Sequence, residues 1–501
     1  METQRSSGKL ETRTGVEADE FFSIETHGID VIPLRDRHGQ PRELFFIWMG
    51  SNIIFTYVIY GVIAGSFGLS FWPTVAALVL GNLLYLVVGV LSLTGPRTGT
   101  STMVVSRAAF GWMGNIPACF FNWLTVLGFC VVNAVVGTLA LLQIAAEIGL
   151  TETTTLKAIC MVLAVLVTFV VAIFGHATVV VLQRWFTYGL AVGAIFLAAF
   201  VIPKAQVSGL TLPLAADSAL GAWLLAFFVF GGGGPYSYYT VPGDYSRYLH
   251  PDTPKRPVVL WTAFGAMIPA IVLGLIGIAA ATATDMTDPV GGLAALTPKW
   301  FLVPFLLLLV GGSTTNNFIN LYSSGLNLQA MGVPLPRSRS VFVDAILVTG
   351  GTIYALFISD FTTSLVNFLS LMVIWIAPWA GIFLVDMYLR RITYDPIGLH
   401  QIREGPYRYE QGWNLRGLAA LAVGIVAGGA FANSTLWRGP LVDLIAGGDL
   451  SVFVGLVAGA GVYYGLMRSV IRRQLAETSP TIAVGGHAVG ADPPPQDVTG
   501  A

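Results

Sequence analysis

Two long apolar segments of the chain are interrupted near their middles by residues that do not fit a continuous membrane helix. The first interruption is residues 48–52, Trp-Met-Gly-Ser-Asn, and the second is residues 231–235, four glycines followed by a proline. Lipid offers no hydrogen-bond partners to free backbone N–H and C=O groups, so a broken helix at membrane depth is tolerated only where it is buried in protein or lines a cavity. The two breaks therefore predict a buried polar site inside a bundle of membrane helices.

The composition indicates a polytopic membrane protein. Of 501 residues, 55% are hydrophobic and 11% are charged, against about 25% charged residues in ordinary soluble domains. The net charge of −1 gives no reason to expect a nucleic-acid partner. Cys119, Cys130 and Cys160 lie in apolar segments without the spacing of a metal or redox motif, so we interpret them as packing residues.

Apolar runs of about 20 residues predict twelve membrane spans. They lie at roughly 44–66, 71–93, 116–146, 156–174, 186–203, 220–241, 258–282, 300–328, 341–359, 362–389, 415–433 and 450–467. Residues 1–20 and 474–501 are polar and rich in glycine, proline, threonine and alanine, so we expect both tails to be disordered. The first 43 residues contain no apolar stretch of the signal-peptide type, and the first span must itself start insertion.

The basic residues predict the orientation of these spans. With a cytoplasmic N-terminus, 22 of the 26 lysines and arginines fall on the inner side, and only Lys157, Lys204, Lys299 and Arg438 fall outside. Because positive residues favour the cytoplasmic side, both termini are expected inside the cell. An error of one span would scramble this asymmetry, which favours the count of twelve.

The two breaks fall in the first and sixth spans, at corresponding positions of two five-span halves. Such a pair of interrupted spans is the sequence pointer to the central binding site of a secondary transporter with inverted repeats. We therefore divide the chain into a cytoplasmic tail (1–43), a first repeat (44–203), a second repeat (220–389), two peripheral spans (415–467) and a C-terminal tail (474–501).

Ionisable side chains are missing from the middles of the predicted spans. Asp386, Asp344 and Glu147 fall at or near span ends. An intramembrane ionisable group is the usual mark of a proton relay, and a membrane enzyme would show clustered histidine, aspartate or glutamate. This pattern disfavours a membrane enzyme or receptor, and it favours Na⁺ over H⁺ as a coupling ion.

The polar groups inside the spans are neutral and concentrate in the eighth span. Residues 311–320 read Gly-Gly-Ser-Thr-Thr-Asn-Asn-Phe-Ile-Asn. On a helix Asn316 and Asn320 share a face, and Gly311 lies one turn from Thr314 and Thr315. Such residues often only join helices, but hydroxyls together with carbonyls freed by a broken helix also supply the oxygen ligands of a hard cation such as Na⁺.

An aromatic and amide pattern accompanies the breaks. Phe129 and Asn133 share a face of the third span, and Tyr236 follows the break in the sixth span. A ring face with amides and freed backbone groups suits a flat, neutral, hydrogen-bonding ring compound.

Several motifs together resemble one family, the nucleobase:cation symporters, and in particular their purine and cytosine permease branch. They are residues 24–33 (IETHGIDVIP), 36–39 (DRHG), 48–52 (WMGSN), 95–99 (GPRTG), 106–111 (SRAAFG), 243–249 (GDYSRYL) and 379–386 (WAGIFLVD). The resemblance extends from about Ser23 to about Trp413.

The resemblance implies an all-α, leucine-transporter-like fold of two inverted five-helix repeats followed by two peripheral helices. The cation ligands it implies are the backbone oxygens of Gly50, Ile53 and Gly311 with the hydroxyls of Thr314 and Thr315. The substrate contacts it implies are Phe129, Asn133, Gly234, Pro235, Tyr236, Asn316 and Asn320. The chain departs from many relatives, which have tryptophan at position 129 and an aromatic residue at position 235, so stacking is expected to pass to Tyr236.

Three charged residues are assigned to a cytoplasmic gate. Asp244 and Arg247, at the inner end of the sixth span, are expected to pair with each other or with Arg107, although Arg107 can equally be a plain topogenic charge. The function implied is import of a nucleobase or related neutral ring by cation symport across the plasma membrane, with no covalent chemistry and no cofactor. The alternative is a carrier of allantoin or a hydantoin, a vitamin or an amino acid on the same fold, and the coupling ion is expected to be Na⁺, with H⁺ as the alternative.

Overall fold

The computed structural model describes residues 28–173, 176–207, 213–333, 337–402 and 404–484, without the side chains of 170–184, 337–339 and 478–484. The first four residues of the 24–33 motif, most of the predicted N-terminal tail and residues 485–501 lie outside the described residues. The described residues form helices and loops, with β-pairing limited to two isolated bridges.

The first predicted repeat contains ten helices. They are α1 (Pro41–Asn52), α2 (Thr56–Gly65), α3 (Phe71–Asn82), α4 (Tyr85–Leu91), α5 (Thr94–Thr98), α6 (Thr102–Val105), α7 (Arg107–Phe110), α8 (Ile116–Glu147), α9 (Thr154–Ile173) and α10 (His176–Val201). Short 3₁₀ turns cover Leu34–Asp36 and Ile202–Lys204.

The rest of the chain contributes nine more helices. They are α11 (Ala219–Gly233), α12 (Pro242–Ser246), α13 (Lys255–Ala283), α14 (Gly291–Leu296), α15 (Lys299–Ala330), α16 (Arg337–Ile353), α17 (Phe361–Leu389), α18 (Leu415–Ala430) and α19 (Ser451–Val484). A 3₁₀ turn follows α11 at Pro235–Tyr238, another covers Val442–Ile445, and a π-helical turn follows α16 at Tyr354–Ile358.

Within the described residues, nine helical segments are long and apolar enough to cross a membrane, and the bent pair α1 and α2 makes a tenth. Two shorter apolar helices, Thr154–Phe169 and Leu415–Ala430, lie at the positions of the predicted fourth and eleventh spans. The helical, polytopic character is thus confirmed, and the count of twelve stays a prediction.

The described residues of both predicted tails are structured. Helix α19 continues to Val484, so the C-terminal tail does not begin at residue 474. The start of this extension, residues 474–477, contains glutamine, leucine, alanine and glutamate, which are good helix formers. At the other end, Ile32 is buried and donates its N–H to Gly99 O at 2.9 Å, so residues 28–37 pack on the bundle.

Glycines bring the first broken span against α13. A Cβ at Gly61 of α2 would lie 2.1 Å from Gly274 O, and one at Gly277 would lie 2.0 Å from Val58 O. Such small-residue contacts let membrane helices approach at backbone distance. Helix α13 thereby supports both α1 and α2, while α15 packs along α8, and these two pairs enclose the centre of the molecule.

Candidate substrate and cation site

A narrow cavity lies where the two broken spans meet α8 and α15. Helix α1 ends at Asn52 and α2 begins at Thr56, with the axis turning by 62°. Helix α11 ends at Gly233, and the 3₁₀ turn starts at Pro235. The cavity is lined by Ile54, Thr56, Tyr57, Tyr60, Val126, Phe129, Gly233, Ser237, Tyr238, Val241, Tyr245, Asn316, Asn320 and Ser323. None of these residues carries a formal charge.

The cavity is nearly closed in this conformation. About 20 Å³ of it is open to water, roughly the room that one water molecule needs. A planar ring can therefore enter only if side chains of the wall move apart, as expected of a site that opens and closes during a transport cycle.

Three of the predicted substrate residues lie on this cavity: Phe129, Asn316 and Asn320. The Phe129 ring packs edge-on against Phe368 of α17, with centroids 5.1 Å apart. Asn316 Nδ2 donates to Ser51 O in the broken first span at 3.0 Å. The eighth span is thus joined directly to the first break.

Asn133 lies behind the cavity wall. Its Nδ2 donates to Asn316 Oδ1 at 2.8 Å and to Asn317 Oδ1 at 2.7 Å, and the residue is buried. Because these bonds orient the Asn316 amide, the geometry fits a positioning role for Asn133 better than direct contact with a substrate.

The second break lies at the cavity as predicted, but its side chains are distributed differently. Gly234 and Pro235 form the break itself, while the cavity is lined by Gly233, Ser237 and Tyr238. The Tyr236 ring instead packs against Tyr239, with centroids 4.6 Å apart. A 3₁₀ turn has three residues per turn, so the face of the sixth span rotates by more than a continued α-helix would predict.

Sequence reasoning missed the tyrosines of α2. Tyr57 and Tyr60 are three residues apart after the first break and both line the cavity. Tyr57 OH bonds to Asn52 Oδ1, which also accepts from Tyr85 OH at 2.6 Å. The three-residue spacing of aromatic residues directly after a break was the signal that could have identified them.

The predicted cation ligands of the first break lie in a gap in helical hydrogen bonding. The end of α1 is marked by the bond from Ile53 N to Met49 O at 3.0 Å, and α2 begins with a bond from Tyr57 N to Ile54 O at 3.3 Å. The carbonyls of Gly50 and Ile53 fall between these bonds, whereas Ser51 O in the same stretch accepts from Asn316 Nδ2 and Tyr238 OH. Carbonyls freed in this way are the backbone oxygens that a hard cation uses in broken-helix transporters.

The two threonine hydroxyls of α15 that were predicted as cation ligands donate their protons to carbonyls of the same helix. Thr314 Oγ1 donates to Val310 O and Thr315 Oγ1 donates to Gly312 O, each at 3.0 Å. A hydroxyl whose proton is used within its own helix still has lone pairs for another partner. Gly311 has a packing role as well, because a Cβ there would lie 1.9 Å from Phe186 Cε1 on α10.

The three predicted gate residues lie beyond the second break and do not pair with one another as expected. Arg107 donates to Ala330 O at 2.8 Å and to Leu399 O at 3.1 Å, so the alternative in which Asp244 pairs with Arg107 is not formed. Arg107 is buried, and its guanidinium donates to carbonyls at the end of α15 and in the loop after α17 instead of to a carboxylate.

Asp244 and Arg247 anchor different elements. Asp244 Oδ1 accepts the N–H of Thr102 at 2.9 Å, whereas Arg247 donates to Gly28 O at 2.7 Å and to Tyr322 OH at 2.6 Å. Burial raises the pKa of Asp244 to about 7, against the opposing effects of the Thr102 N–H and the nearby Arg247 charge. The N-terminal segment is therefore attached to the sixth and eighth spans through Arg247.

Two carboxylates that were placed at span ends lie inside helices and are fully buried. Asp386 forms an ion pair with Arg390 at 2.9 Å. Asp344 of α16 instead accepts from Ser324 Oγ at 2.7 Å and from Trp123 Nε1 at 3.1 Å, and both donors are neutral. Asp344 is the fifth residue of the span Ser340–Ile358, so it lies near a span end as expected, although it is buried inside the bundle.

Residues 31–455 match the model of a family described as permease for cytosine/purines, uracil, thiamine, allantoin. The chain belongs to this permease family. The match includes both breaks and every element of the cavity, and it makes the protein a multi-pass membrane transporter by family.

Curated relatives span nearly the whole chain. The putative purine-cytosine permease YxlA of Bacillus subtilis is 27% identical over 471 residues, which cover 90% of this chain and 98% of the relative. The purine-cytosine permease fcyB of Emericella nidulans is 27% identical over 466 residues, 88% of each chain. The vitamin B6 transporter TPN1 of Saccharomyces cerevisiae is 26% identical over 406 residues, 76% of this chain and 67% of the relative.

Solved structures support the fold. Mhp1, a nucleobase-cation-symport-1 family transporter, in a closed conformation with bromovinylhydantoin bound, superposes with a TM-score of 0.68 at 20% identity, covering 90% of this chain and 97% of that one. The inward-facing conformation of Mhp1 gives a TM-score of 0.69 at 17% identity, covering 91% and 96%. The predicted leucine-transporter-like architecture is thus confirmed at the level of the fold.

Proposed function

We propose that the protein imports a nucleobase, a purine or cytosine, by symport with a cation. The observation that carries this proposal is the chemistry of the cavity, whose wall combines aromatic rings, aliphatic side chains, asparagine amides and hydroxyls without a charged side chain. A flat neutral ring can stack on such a wall while the amides bond its polar edge. The purine-cytosine permeases among the relatives support the same substrate class.

The proposal includes the cellular arrangement inferred from the sequence. The protein lies in the plasma membrane with both termini in the cytoplasm, and residues 44–203 and 220–389 form the two inverted repeats. Transport proceeds by alternating access around the cavity between the repeats and needs no covalent chemistry.

The substrate is tested by competition for uptake in proteoliposomes. Radiolabelled cytosine and adenine are offered with unlabelled purines, uracil, allantoin, hydantoin, pyridoxine and amino acids. We expect purines and cytosine to compete most strongly. Competition only by pyridoxine would assign the chain to vitamin transport, as in the TPN1 relative, and competition only by amino acids would overturn the nucleobase proposal.

The role of the amides is tested in the same assay. Asn316→Ala or Asn320→Ala leaves an edge of the bound ring unpaired, which costs about 1–3 kcal/mol, or about 5- to 150-fold in affinity. Asn327→Ala, in the same helix and off the cavity wall, is the matched control and should keep the affinity. Unchanged affinity in both cavity variants would remove these residues from the site.

Na⁺ is the proposed coupling ion, because the freed carbonyls of Gly50 and Ile53 and the hydroxyls of Thr314 and Thr315 are neutral oxygen ligands. Linkage requires that the ion and the substrate strengthen each other's binding by the same factor. Thr315→Val keeps the shape and removes one oxygen, so it should weaken Na⁺ and, at fixed Na⁺, the substrate.

H⁺ coupling is the second candidate, and buried Asp344 is the observation that favours it, because its hydrogen-bond partners are the neutral Ser324 and Trp123. An imposed Na⁺ gradient and a proton gradient are applied separately, with Thr315→Val and Asp344→Asn in parallel. Na⁺ coupling predicts uptake that follows the Na⁺ gradient and fails in Thr315→Val. Uptake that ignores Na⁺, collapses with the proton gradient and fails in Asp344→Asn would assign the proton instead.

A further inference from the structure

Tyr60 carries a buried hydroxyl that its surroundings do not satisfy. The side chain is 1% exposed, and its OH has no hydrogen-bond partner among the described residues. A buried polar group without a partner is costly and rare enough in folded proteins to need an explanation. The explanation has to account for where this hydroxyl lies.

The phenol lies on the cavity wall, at the second break. Tyr60 and Gly233 both line the cavity, and a Cβ on Gly233 would lie 2.5 Å from Tyr60 Cζ, the carbon that bears the hydroxyl. The hydroxyl is therefore held beside the end of α11, between the first and the sixth spans. Only a glycine at position 233 leaves room for the ring there.

Two neighbouring phenol hydroxyls on the same wall, those of Tyr57 and Tyr238, are engaged within the protein. Tyr57 OH bonds to Asn52 Oδ1 and lies 2.5 Å from Tyr85 OH, and Tyr238 OH donates to Ser51 O at 3.3 Å. These bonds fix the wall, but they leave those donors less available to a ligand. The Tyr60 hydroxyl keeps its donor for a group that enters the cavity.

We propose that Tyr60 is a substrate-binding and specificity-determining residue, whose hydroxyl donates to an acceptor atom on the edge of the transported base. The inference rests on the proposed function, because it requires a nucleobase in this cavity. Asn316 and Asn320, on the α15 side, then bond the ring from one direction and Tyr60 from the direction of α2 and α11. A site whose buried donor expects a partner rejects an analogue that lacks the acceptor.

The test compares Tyr60→Phe with the wild type in binding to a base and to analogues that each lack one acceptor. For adenine these are its 1-, 3- and 7-deaza analogues. For cytosine they are 3-deazacytosine, which lacks the N3 acceptor, and 4-aminopyrimidine, which lacks O2 and also has an acceptor in place of the N1–H donor. In the wild type, one analogue should bind at least about tenfold more weakly than the parent base. In Tyr60→Phe, the parent base should weaken to the level of that analogue, and the discrimination between the two should disappear.

Thr262→Val is the matched control, because Thr262 also has a buried hydroxyl without a partner but does not line the cavity. It should leave the affinities and the discrimination unchanged. Thermal denaturation of purified Tyr60→Phe should occur at the wild-type temperature or above, because the substitution removes an unsatisfied polar group and keeps the ring.

Two results would overturn the assignment of Tyr60 while leaving the site in place. One is an unchanged affinity in Tyr60→Phe when Asn316→Ala loses affinity. The other is an equal weakening of the base and all analogues with the discrimination retained, since that indicates a change of shape and not a lost hydrogen bond. Failure of the wild type to bind either base would overturn the proposed function and this inference with it, and it is visible before any variant is measured.

Discussion

The two broken spans occupy corresponding positions in the two repeats, yet they are built from different chemistry. In the first span, polar side chains at the break donate to carbonyls one helical turn earlier. Asn52 Nδ2 donates to Trp48 O at 2.8 Å, and Ser51 Oγ donates to Ile47 O at 2.8 Å. The axis then turns by 62°. In the sixth span, four glycines and a proline form the break, and Ser237 Oγ donates to Gly234 O at 2.6 Å.

The two breaks differ because side chains of the first repeat must pack on the backbone of the sixth span. The glycines of the sixth span have no side chains, so rings from the first repeat can lie directly on their backbone. A Cβ on Gly234 would lie 3.2 Å from both Tyr57 Cε1 and Tyr85 OH, and one on Gly233 would be closer still to Tyr60. The first break thus supplies polar and aromatic groups, and the sixth supplies the space in which those groups lie.

The largest expected effect comes from removing the side-chain hydrogen bonds of Asn52 at the first break. Asn52→Ala deletes the acceptor of both Tyr57 and Tyr85 and the donor to Trp48 O, and we expect it to lower the free energy of unfolding by about 3 kcal/mol. Thermal denaturation of the purified protein in detergent measures this loss.

Asn82→Ala is the matched control for Asn52→Ala. Asn82 is equally buried and bonds Leu78 O at 2.9 Å, but its Oδ1 has no partner among the described residues. If Asn82→Ala destabilises the protein as much as Asn52→Ala does, the hydrogen bonds of Asn52 are not what distinguishes the first break.

A smaller effect is expected from filling the space at the second break. Gly233→Ala places a Cβ 2.5 Å from Tyr60 Cζ and must displace the ring, at a cost of about 2 kcal/mol in stability together with a loss of substrate affinity. Gly232→Ala is the control, because its Cβ would first meet Val373 Cγ2 at 3.2 Å. Equal affinities in the two variants would contradict the idea that the glycine run makes room for Tyr60.

The smallest expected effect is a pH dependence of folding stability that arises from a carboxyl group just after the second break. The segment after it carries buried Asp244, whose pKa is raised by burial from 3.8 to about 7. The folded state therefore holds this proton more tightly than the unfolded state does. Its stabilisation is full below about pH 4 and is lost as the pH rises to about 7, with a loss of about 1 kcal/mol between pH 6 and pH 8.

Melting temperatures at pH 6 and pH 8 test this sign. Asp244→Asn should remove the difference attributed to this carboxyl, whereas Asp252→Asn, at an exposed position in the following loop, should keep it. A wild type that becomes more stable from pH 6 to pH 8, with the same slope in Asp244→Asn, would show that Asp244 does not set the response.

The sequence predicted the cavity-facing residues of α15 better than those of the segments that follow the two breaks. Asn316 and Asn320 were identified from their four-residue spacing, because α15 is a continuous helix and keeps the period of 3.6 residues. Tyr236 was predicted at the site, whereas Tyr238 lines the cavity, because the 3₁₀ turn after α11 changes that period. Tyr57 and Tyr60 were missed since a bend of unknown direction precedes them.

Side-chain pairing was the other limit of sequence prediction. Asn133 shares the predicted face with Phe129, yet its amide is used by Asn316 and Asn317 and not by the cavity. Arg107 was expected near a carboxylate and bonds carbonyls instead. Which partner a buried polar group finds depends on groups as far as 305 residues away in the sequence, and local pattern does not contain that information.

The sequence by itself determined that the chain is a helical membrane protein with two interrupted spans, because lipid leaves backbone groups no other partner and long apolar runs no other environment. It also determined the neutral character of the site, since few charged residues are available to enter it. Only the tertiary structure decided which side chains face the cavity. The bend at Asn52, the 3₁₀ turn after Gly234 and the approach of Tyr60 to Gly233 are products of packing between the repeats, and they leave one phenol hydroxyl on the wall without a partner in the described protein.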